Sequence, residues 1–198
     1  MSHEKQKLIL DFWFGDDVLK PLSHQSLWFS KRAGVDDLIR SNFSGMLDEA
    51  AAGGFDDWVK TPRGALALVI LLDQFPRNIY RGTDQAFAYD DDARRIAEIA
   101  IANGFDKELL TIERCFLYLP LEHSEDIVAQ NRAVDLYQDL AANTHGSEAA
   151  AVKEALSYAI RHRDIIAKYG RFPHRNELIG RDSTKEEKEF LKRPQSSF

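Results

Sequence analysis

Two segments of the sequence share a combination of residues suited to binding an anion. Residues 73–82 read DQFPRNIYRG, and residues 170–181 read GRFPHRNELIGR. Each contains Phe-Pro, then Arg-Asn, then a glycine beside a further arginine. Arginine presents fixed N–H donors that match the two oxygens of a carboxylate or phosphate. We therefore predict that the arginines and asparagines of these first and second Phe-Pro segments converge on a small anion. The residues concerned are Arg77, Asn78, Arg81, Arg171, Arg175 and Asn176.

The charge of the two Phe-Pro segments is opposite to that of the rest of the chain, whose total is −6. Two arginines against one aspartate give the first segment a net +1, and three arginines against one glutamate give the second +2. The remaining residues therefore carry −9. A local reversal of sign concentrates anions at one place. The acidic total argues against a nucleic-acid-binding protein, which needs a basic face.

The same side chains have a structural alternative. Both Phe-Pro segments follow predicted helices, and the last carbonyl groups of a helix lack intrahelical partners. Arginine and asparagine can donate to these carbonyls, and nearby acids can neutralise the guanidinium groups. The sequence leaves open whether the segments form a ligand site or a polar network that fixes helix ends.

A third polar group lies in residues 119–126, LPLEHSED. Histidine exchanges protons near neutral pH, so His123 with Glu122 could act as an acid–base pair on the wall opposite the arginines. The residues that follow also fit an ordinary helix start, because Ser124 can cap a helix and the acids after it complement the helix dipole.

A metal site is a further alternative. Its ligands would come from the acids and histidines Glu122, His123, Glu125, His162 and His174. None of these histidines has the tight local spacing that is typical of metal ligands. We therefore predict neither a metal nor an organic cofactor.

Helices must position these groups, because helical periodicity dominates the sequence and strand signals are scarce. The predicted helices cover residues 4–14, 24–32, 35–52, 62–75, 84–103, 107–119, 124–142, 147–169 and a last helix to about 192. The helix over 62–75 is apolar nearly all round and must be buried. Pro76 and Pro120 are expected to end the helices before them.

Short connections favour packing of consecutive helices as antiparallel pairs. The expected pairs are 35–52 with 62–75, 84–103 with 107–119, and 124–142 with 147–169. We therefore predict an all-α fold of stacked antiparallel helical hairpins, in a single domain over residues 1–198.

The composition agrees with one soluble domain. Of the 198 residues, 44% are hydrophobic and 29% charged, which is ordinary for a globular protein. A single cysteine, Cys115, cannot form an intramolecular disulfide and favours a reducing compartment. The start of the chain lacks a signal-peptide pattern, and no apolar run is long enough to span a membrane. We expect a cytoplasmic protein with neither a nucleic-acid nor a membrane partner.

Four motifs, taken in order, resemble one family. They are LDFWFG (10–15), LLDQFPRN (71–78), PLEHSE (120–125) and GRFPHRN (170–176). Together they are similar to the family called Domain of Unknown Function 924, over nearly the whole chain. The resemblance implies an all-α fold of the tetratricopeptide-repeat-like superfamily, but no activity and no site residues. The chain lacks the tetratricopeptide consensus, which argues against a peptide-binding groove of that type.

The leading hypothesis is a site for a small phosphate or carboxylate, in which His123 acts as acid or base if a reaction occurs. One alternative is a helical-hairpin scaffold that binds a peptide or protein and whose polar network is purely structural. Another is a metal-dependent hydrolase. The sequence does not decide between an enzyme and a binding protein.

Overall fold

The fold is known from a computed structural model that describes residues 2–15, 24–28, 33–194 and 196. These residues contain no β-strand, and the all-α prediction is confirmed. The helices are α1 Ser2–Phe14, α2 Gln25–Trp28, α3 Ala33–Ala51, α4 Pro62–Val69, α5 Phe75–Ile79, α6 Asp90–Ala102, α7 Thr111–Glu122, α8 Ile127–Asn143, α9 Ala149–Tyr169 and α10 Lys185–Leu191. Of the predicted helix over 24–32, residues 29–32 lie outside the described part of the chain.

Short 3₁₀ turns lie in several of the connections. They cover Asp56–Lys60, Asp84–Phe87, Phe105–Glu108, Gly146–Glu148 and Pro173–Arg175. Among the described helices, none is both long enough and apolar enough to cross a membrane.

The centre of the core is α4 and the turn that follows it. Every residue from 64 to 73 is buried, as the apolar sequence predicts. Helices α1, α6 and α7 pack around α4. Two of the predicted helix pairs are in contact, α6 with α7 and α8 with α9. In the third, α3 packs against the end of the predicted helix over 62–75, at residues Ile70–Gln74, and against α5, which follows it.

The helix that begins at Pro62 does not end at Pro76, so that prediction is wrong. Helix α4 continues into a π-helical turn over Ile70–Gln74, and α5 follows directly. The Phe75 amide donates to the carbonyl five residues back, at Ile70. Pro76 then lies in the first turn of α5, where a residue without an N–H is tolerated. Asp73 and the first Phe-Pro segment are therefore held on one continuous helical rod.

The helix ends around residues 119–126 also differ from the prediction. Pro120 lies inside α7, which runs on to Glu122. Helix α8 is capped by Asp126 instead of Ser124, because Asp126 Oδ1 accepts a hydrogen bond from the Val128 amide at 2.8 Å. The connection between α7 and α8 is therefore short and contains His123, Ser124 and Glu125.

The packing of the Asp56–Lys60 turn against α4 predicts the effect of a single methyl group. A Cβ atom on Gly64 would lie 2.3 Å from the Trp58 carbonyl oxygen. We expect Gly64→Ala to lower the free energy of unfolding by about 1–3 kcal/mol in urea denaturation. Gly45→Ala, at an exposed position of α3, is the control, because its Cβ meets nothing within 4 Å. The free energy of unfolding of Gly45→Ala should rise by roughly 0.5–1 kcal/mol, because alanine favours the helix more than glycine does. Equal stabilities of the two variants would contradict this packing.

Candidate functional site

The two Phe-Pro segments meet at one carboxylate. Asp90, the first residue of α6, accepts two hydrogen bonds from Arg77, at 2.8 and 3.1 Å. Its Oδ2 also accepts from Arg175 Nη1 at 3.0 Å. We call these three side chains the Asp90 junction. The structure thus brings together one arginine from each segment.

Aromatic rings hold the guanidinium groups of the Asp90 junction. The Arg175 guanidinium lies 4.4 Å from the centre of the Phe87 ring and 4.9 Å from that of Phe172. Arg77 contacts the same Phe87 ring at 5.8 Å. Cations over aromatic faces are attracted by the ring quadrupole. Burial lowers the pKa of Arg175 from its ordinary value, and the Asp90 carboxylate acts in the opposite direction.

His123 is paired with a buried carboxylate on the first segment. Its Nδ1 lies 2.8 Å from Oδ1 of Asp73, which is fully buried. Burial alone would raise the pKa of Asp73, but Arg77 and His123 together hold it well below its ordinary value. Asp73 is therefore ionised and accepts only, so the proton between the two groups sits on His123 Nδ1.

The other ring nitrogen of His123 is available for chemistry. Its Nε2 makes no hydrogen bond to any described residue and is not enclosed. Burial first, and then the charge of Arg77, lower the pKa of His123, while Asp73 acts in the opposite direction. The ring is therefore neutral at pH 7 and carries a lone pair on Nε2, which is the state that a general base needs.

The free edge of His123 borders a cavity of about 220 Å³, between the start of α6 and the α7–α8 connection. Its lining residues are Phe87, Ala88, Asp90, Asp91, Arg94, His123, Ser124, Glu125 and Arg175. We call this the His123 cavity. That volume suits a small ligand.

The backbone around His123 is fixed by side chains from two helical regions. Arg175 Nη2 donates to the His123 carbonyl at 2.9 Å. Gln130 Nε2 donates to the carbonyls on either side, those of Glu122 and Ser124. These bonds satisfy carbonyl groups at the end of α7, as the structural alternative requires. The same bonds also set the position of the imidazole ring.

Glu122 does not face the His123 cavity. It is only 3% exposed, and its Oε1 lies 2.9 Å from Nδ1 of His162. The carboxylate that orients His123 is Asp73, which comes from fifty residues earlier in the chain. Of the acids in residues 119–126, the one that lines the cavity is Glu125, which accepts from both Arg181 and the Phe172 amide.

The remaining arginines and asparagines of the two segments lie away from the cavity. Arg81 forms a double hydrogen bond with Asp36, at 2.8 and 2.9 Å, and Arg171 pairs with Glu187. The asparagines also bond within the protein: Asn78 Nδ2 donates to the Gln74 carbonyl, and Asn176 Nδ2 to Ser183 Oγ. Of the six predicted ligand-binding residues, Arg175 alone lines the cavity.

Arg94 lines the cavity and has no counterpart in the sequence motifs. It lies four residues after Asp90, one helical turn along the same face of α6. In the sequence, this spacing is the one signal that points to Arg94, and it can be used only when the role of Asp90 is already known.

A metal-binding arrangement is not present among the described side chains. No group of three or more histidine, cysteine, aspartate or glutamate residues within residues 2–15, 24–28, 33–194 and 196 has a geometry that could hold a metal ion. His174 is partly buried, and burial together with the charge of Arg175 lowers its pKa to about 3. It is therefore neutral at physiological pH.

The Asp90 junction predicts a large difference between two adjacent aspartates. Asp90→Asn removes the charge that neutralises Arg77 and Arg175, so we expect the free energy of unfolding to fall by about 2–4 kcal/mol. Asp91→Asn is the matched control, because its side chain is 99% exposed and should change stability by less than about 0.5 kcal/mol. Urea denaturation of both variants at pH 7 checks this. Similar small losses would show that the junction contributes little.

Comparison with known proteins places this geometry in a family. Residues 9–195 match the model described as "Bacterial protein of unknown function (DUF924)". The solved structure of the protein of unknown function ATU0120 from Agrobacterium tumefaciens is 39% identical, with a TM-score of 0.82 over 96% of this chain and 98% of that chain. No curated protein matches the sequence. The family match includes both Phe-Pro segments and the connection that carries His123, and the chain belongs to the DUF924 family.

Proposed function

We propose that this protein is an enzyme that binds a small anionic ligand in the His123 cavity and uses His123 as its general base. One observation carries the proposal. The Asp73 carboxylate orients a neutral imidazole whose second nitrogen is open at a cavity. A carboxylate in this position fixes the tautomer and stabilises the imidazolium that forms when Nε2 takes a proton.

The proton transfer would run from an O–H group in the cavity to His123 Nε2. When the donor is a water molecule, its oxygen attacks the carbonyl carbon or phosphorus of an ester ligand as the proton leaves, and the imidazolium returns that proton to the departing alkoxide. When the donor is a hydroxyl group of the ligand, its oxygen keeps the electron pair of the broken O–H bond as an alkoxide. The imidazolium then lies beside Asp73, and the negative charge on oxygen develops in a cavity lined by Arg94 and Arg175. Preorganised cations at such a position stabilise a transition state.

Two of the acids that line the cavity are already paired with arginines, so the cavity suits an anionic ligand better than the number of its acids indicates. Asp90 already accepts from Arg77 and Arg175. Glu125 already accepts from Arg181, at 2.5 and 2.8 Å. These two carboxylates are therefore neutralised by the protein itself. Their repulsion of an anion is correspondingly weak.

The proposal predicts the reactivity of His123 and its pH dependence. Diethyl pyrocarbonate acylates accessible neutral imidazole, so His123 should react at Nε2. Because the pKa of His123 is lowered from the ordinary 6.5, the reactive neutral form predominates above pH 6.5 and is lost as pH falls through the lowered pKa. Peptide mass spectrometry across a pH series should place the midpoint below 6.5. Exposed His145 serves as an internal check on the reagent.

Two results would contradict the proposal. A His123 that reacts no faster in the wild type than in Asp73→Asn would mean that the carboxylate does not set the tautomer. The second readout is turnover of chromogenic carboxyl and phosphate esters, which should fall about 100-fold or more in His123→Gln. His145→Gln should keep wild-type turnover. Equal turnover in His123→Gln and His145→Gln would show that His123 is not the general base.

A further inference from the structure

Arg94 gives the His123 cavity a cation that forms no hydrogen bond with the described residues. Its nearest carboxylate oxygens belong to Asp91, at 3.6 Å, Glu98, at 3.6 Å, and Asp126, at 3.7 Å. Hydrogen bonds from N–H to oxygen are shorter, about 2.7–3.2 Å. The guanidinium donors of Arg94 are therefore available to another molecule. Its side chain is 30% exposed, so they can be reached from solvent.

A second cavity residue also has an unused donor. Arg175 is 8% exposed, and its Nε is buried without a hydrogen bond to any residue in the described part of the chain. Its two terminal nitrogens are occupied by Asp90 and by the His123 carbonyl. Buried donors are nearly always paired in folded proteins, with protein, water or ligand. Because solvent does not reach this Nε, a ligand in the cavity does not reach it either, and what Arg175 offers such a ligand is its positive charge.

We infer that Arg94 anchors the anionic group of the ligand, and that the ligand is a small carboxylate or phosphate that also carries a hydroxyl group. A guanidinium binds either oxyanion through two parallel hydrogen bonds. Arg94 and His123 line the same cavity, so a ligand held by its anion can present a second group to Nε2. The volume of about 220 Å³ favours a compact ligand over a nucleotide or peptide. The hydroxyl half of this inference rests on the proposed function of His123, whereas the anchor does not.

Calorimetric titration with inorganic phosphate, acetate and glycolate tests the anchor. Phosphate against acetate distinguishes the two oxyanions, and glycolate against acetate tests the added hydroxyl. We expect at least one of these ions to bind the wild type and to raise its Tm. Arg94→Gln should weaken that binding at least about tenfold, because it removes charge-assisted hydrogen bonds. Arg94→Lys keeps the charge but loses the planar pair of donors, so its affinity for the ion should lie between those of the wild type and Arg94→Gln.

Arg95→Gln is the matched control. Arg95 is the next residue of α6, its side chain is 60% exposed, and its single contact, with Asp92, is 3.5 Å long. It carries the same charge and does not line the cavity. Arg95→Gln should therefore bind the ions as the wild type does. A similar loss in both variants would reduce the effect to net charge and overturn the anchor.

Protection of His123 separates this inference from the proposed function. A bound ion should slow diethyl pyrocarbonate modification of His123 in the wild type, but not in Arg94→Gln at the same ion concentration. Without the ion, His123 should react equally in both proteins. Absence of binding to the wild type, or equal binding by Arg94→Gln and Arg95→Gln, would overturn the anchor. If His123 still reacts as expected, the general base stands and only Arg94 loses its role.

Discussion

The carboxylate of Asp90 is the contact on which the arrangement of the site depends. It lies between Arg77 and Arg175, which come from distant parts of the chain. Without it, the largely buried Arg175 would lose its carboxylate partner and Arg77 would keep Asp73 alone, and an unpaired buried charge is strongly destabilising. Arg77 also contacts Asp73, and Arg175 also holds the His123 carbonyl. One carboxylate therefore links the imidazole, its orienting acid and the wall of the cavity.

The π-helical turn at Ile70–Gln74 supplies the other half of this arrangement. Asp73 lies within that turn, and the Arg77 guanidinium returns one helical turn later to lie 3.3 Å from its carboxylate. Such turns often occur at functional sites, because they change the side-chain register of a helix locally. Burial of α4 on all sides holds the turn in place. The most apolar segment of the chain thus positions one of its most polar groups.

Much of the fold follows from local patterns, but the partners within the site do not. The apolar stretch of α4 and the short connections are enough to predict a buried helix and paired hairpins. Adjacent Glu122 and His123 look like a pair in the sequence, yet neighbouring residues on a helix point about 100° apart. They therefore reach different partners, His162 and Asp73.

Other residues of the site could not be predicted because the sequence around them resembles an ordinary helix start or helix end. The run of charges that begins α6 is typical of a solvated helix start, so neither Asp90 nor Arg94 differs from its neighbours in the sequence. The repeated Phe-Pro motif contains Arg77 and Arg175, which the structure brings together at Asp90. It does not separate them from Arg81 and Arg171, which pair with Asp36 and Glu187 elsewhere. For those two arginines the structural alternative describes the contacts well.

The state of the His123 ring is the central claim, and it can be measured without knowing the ligand. Long-range ¹H–¹⁵N correlation spectra at pH 7, assigned with His123→Gln, report which ring nitrogen carries the proton. Our account predicts a neutral ring with the proton on Nδ1 and none on Nε2. A proton on Nε2, or a ring charged at both nitrogens, would contradict it.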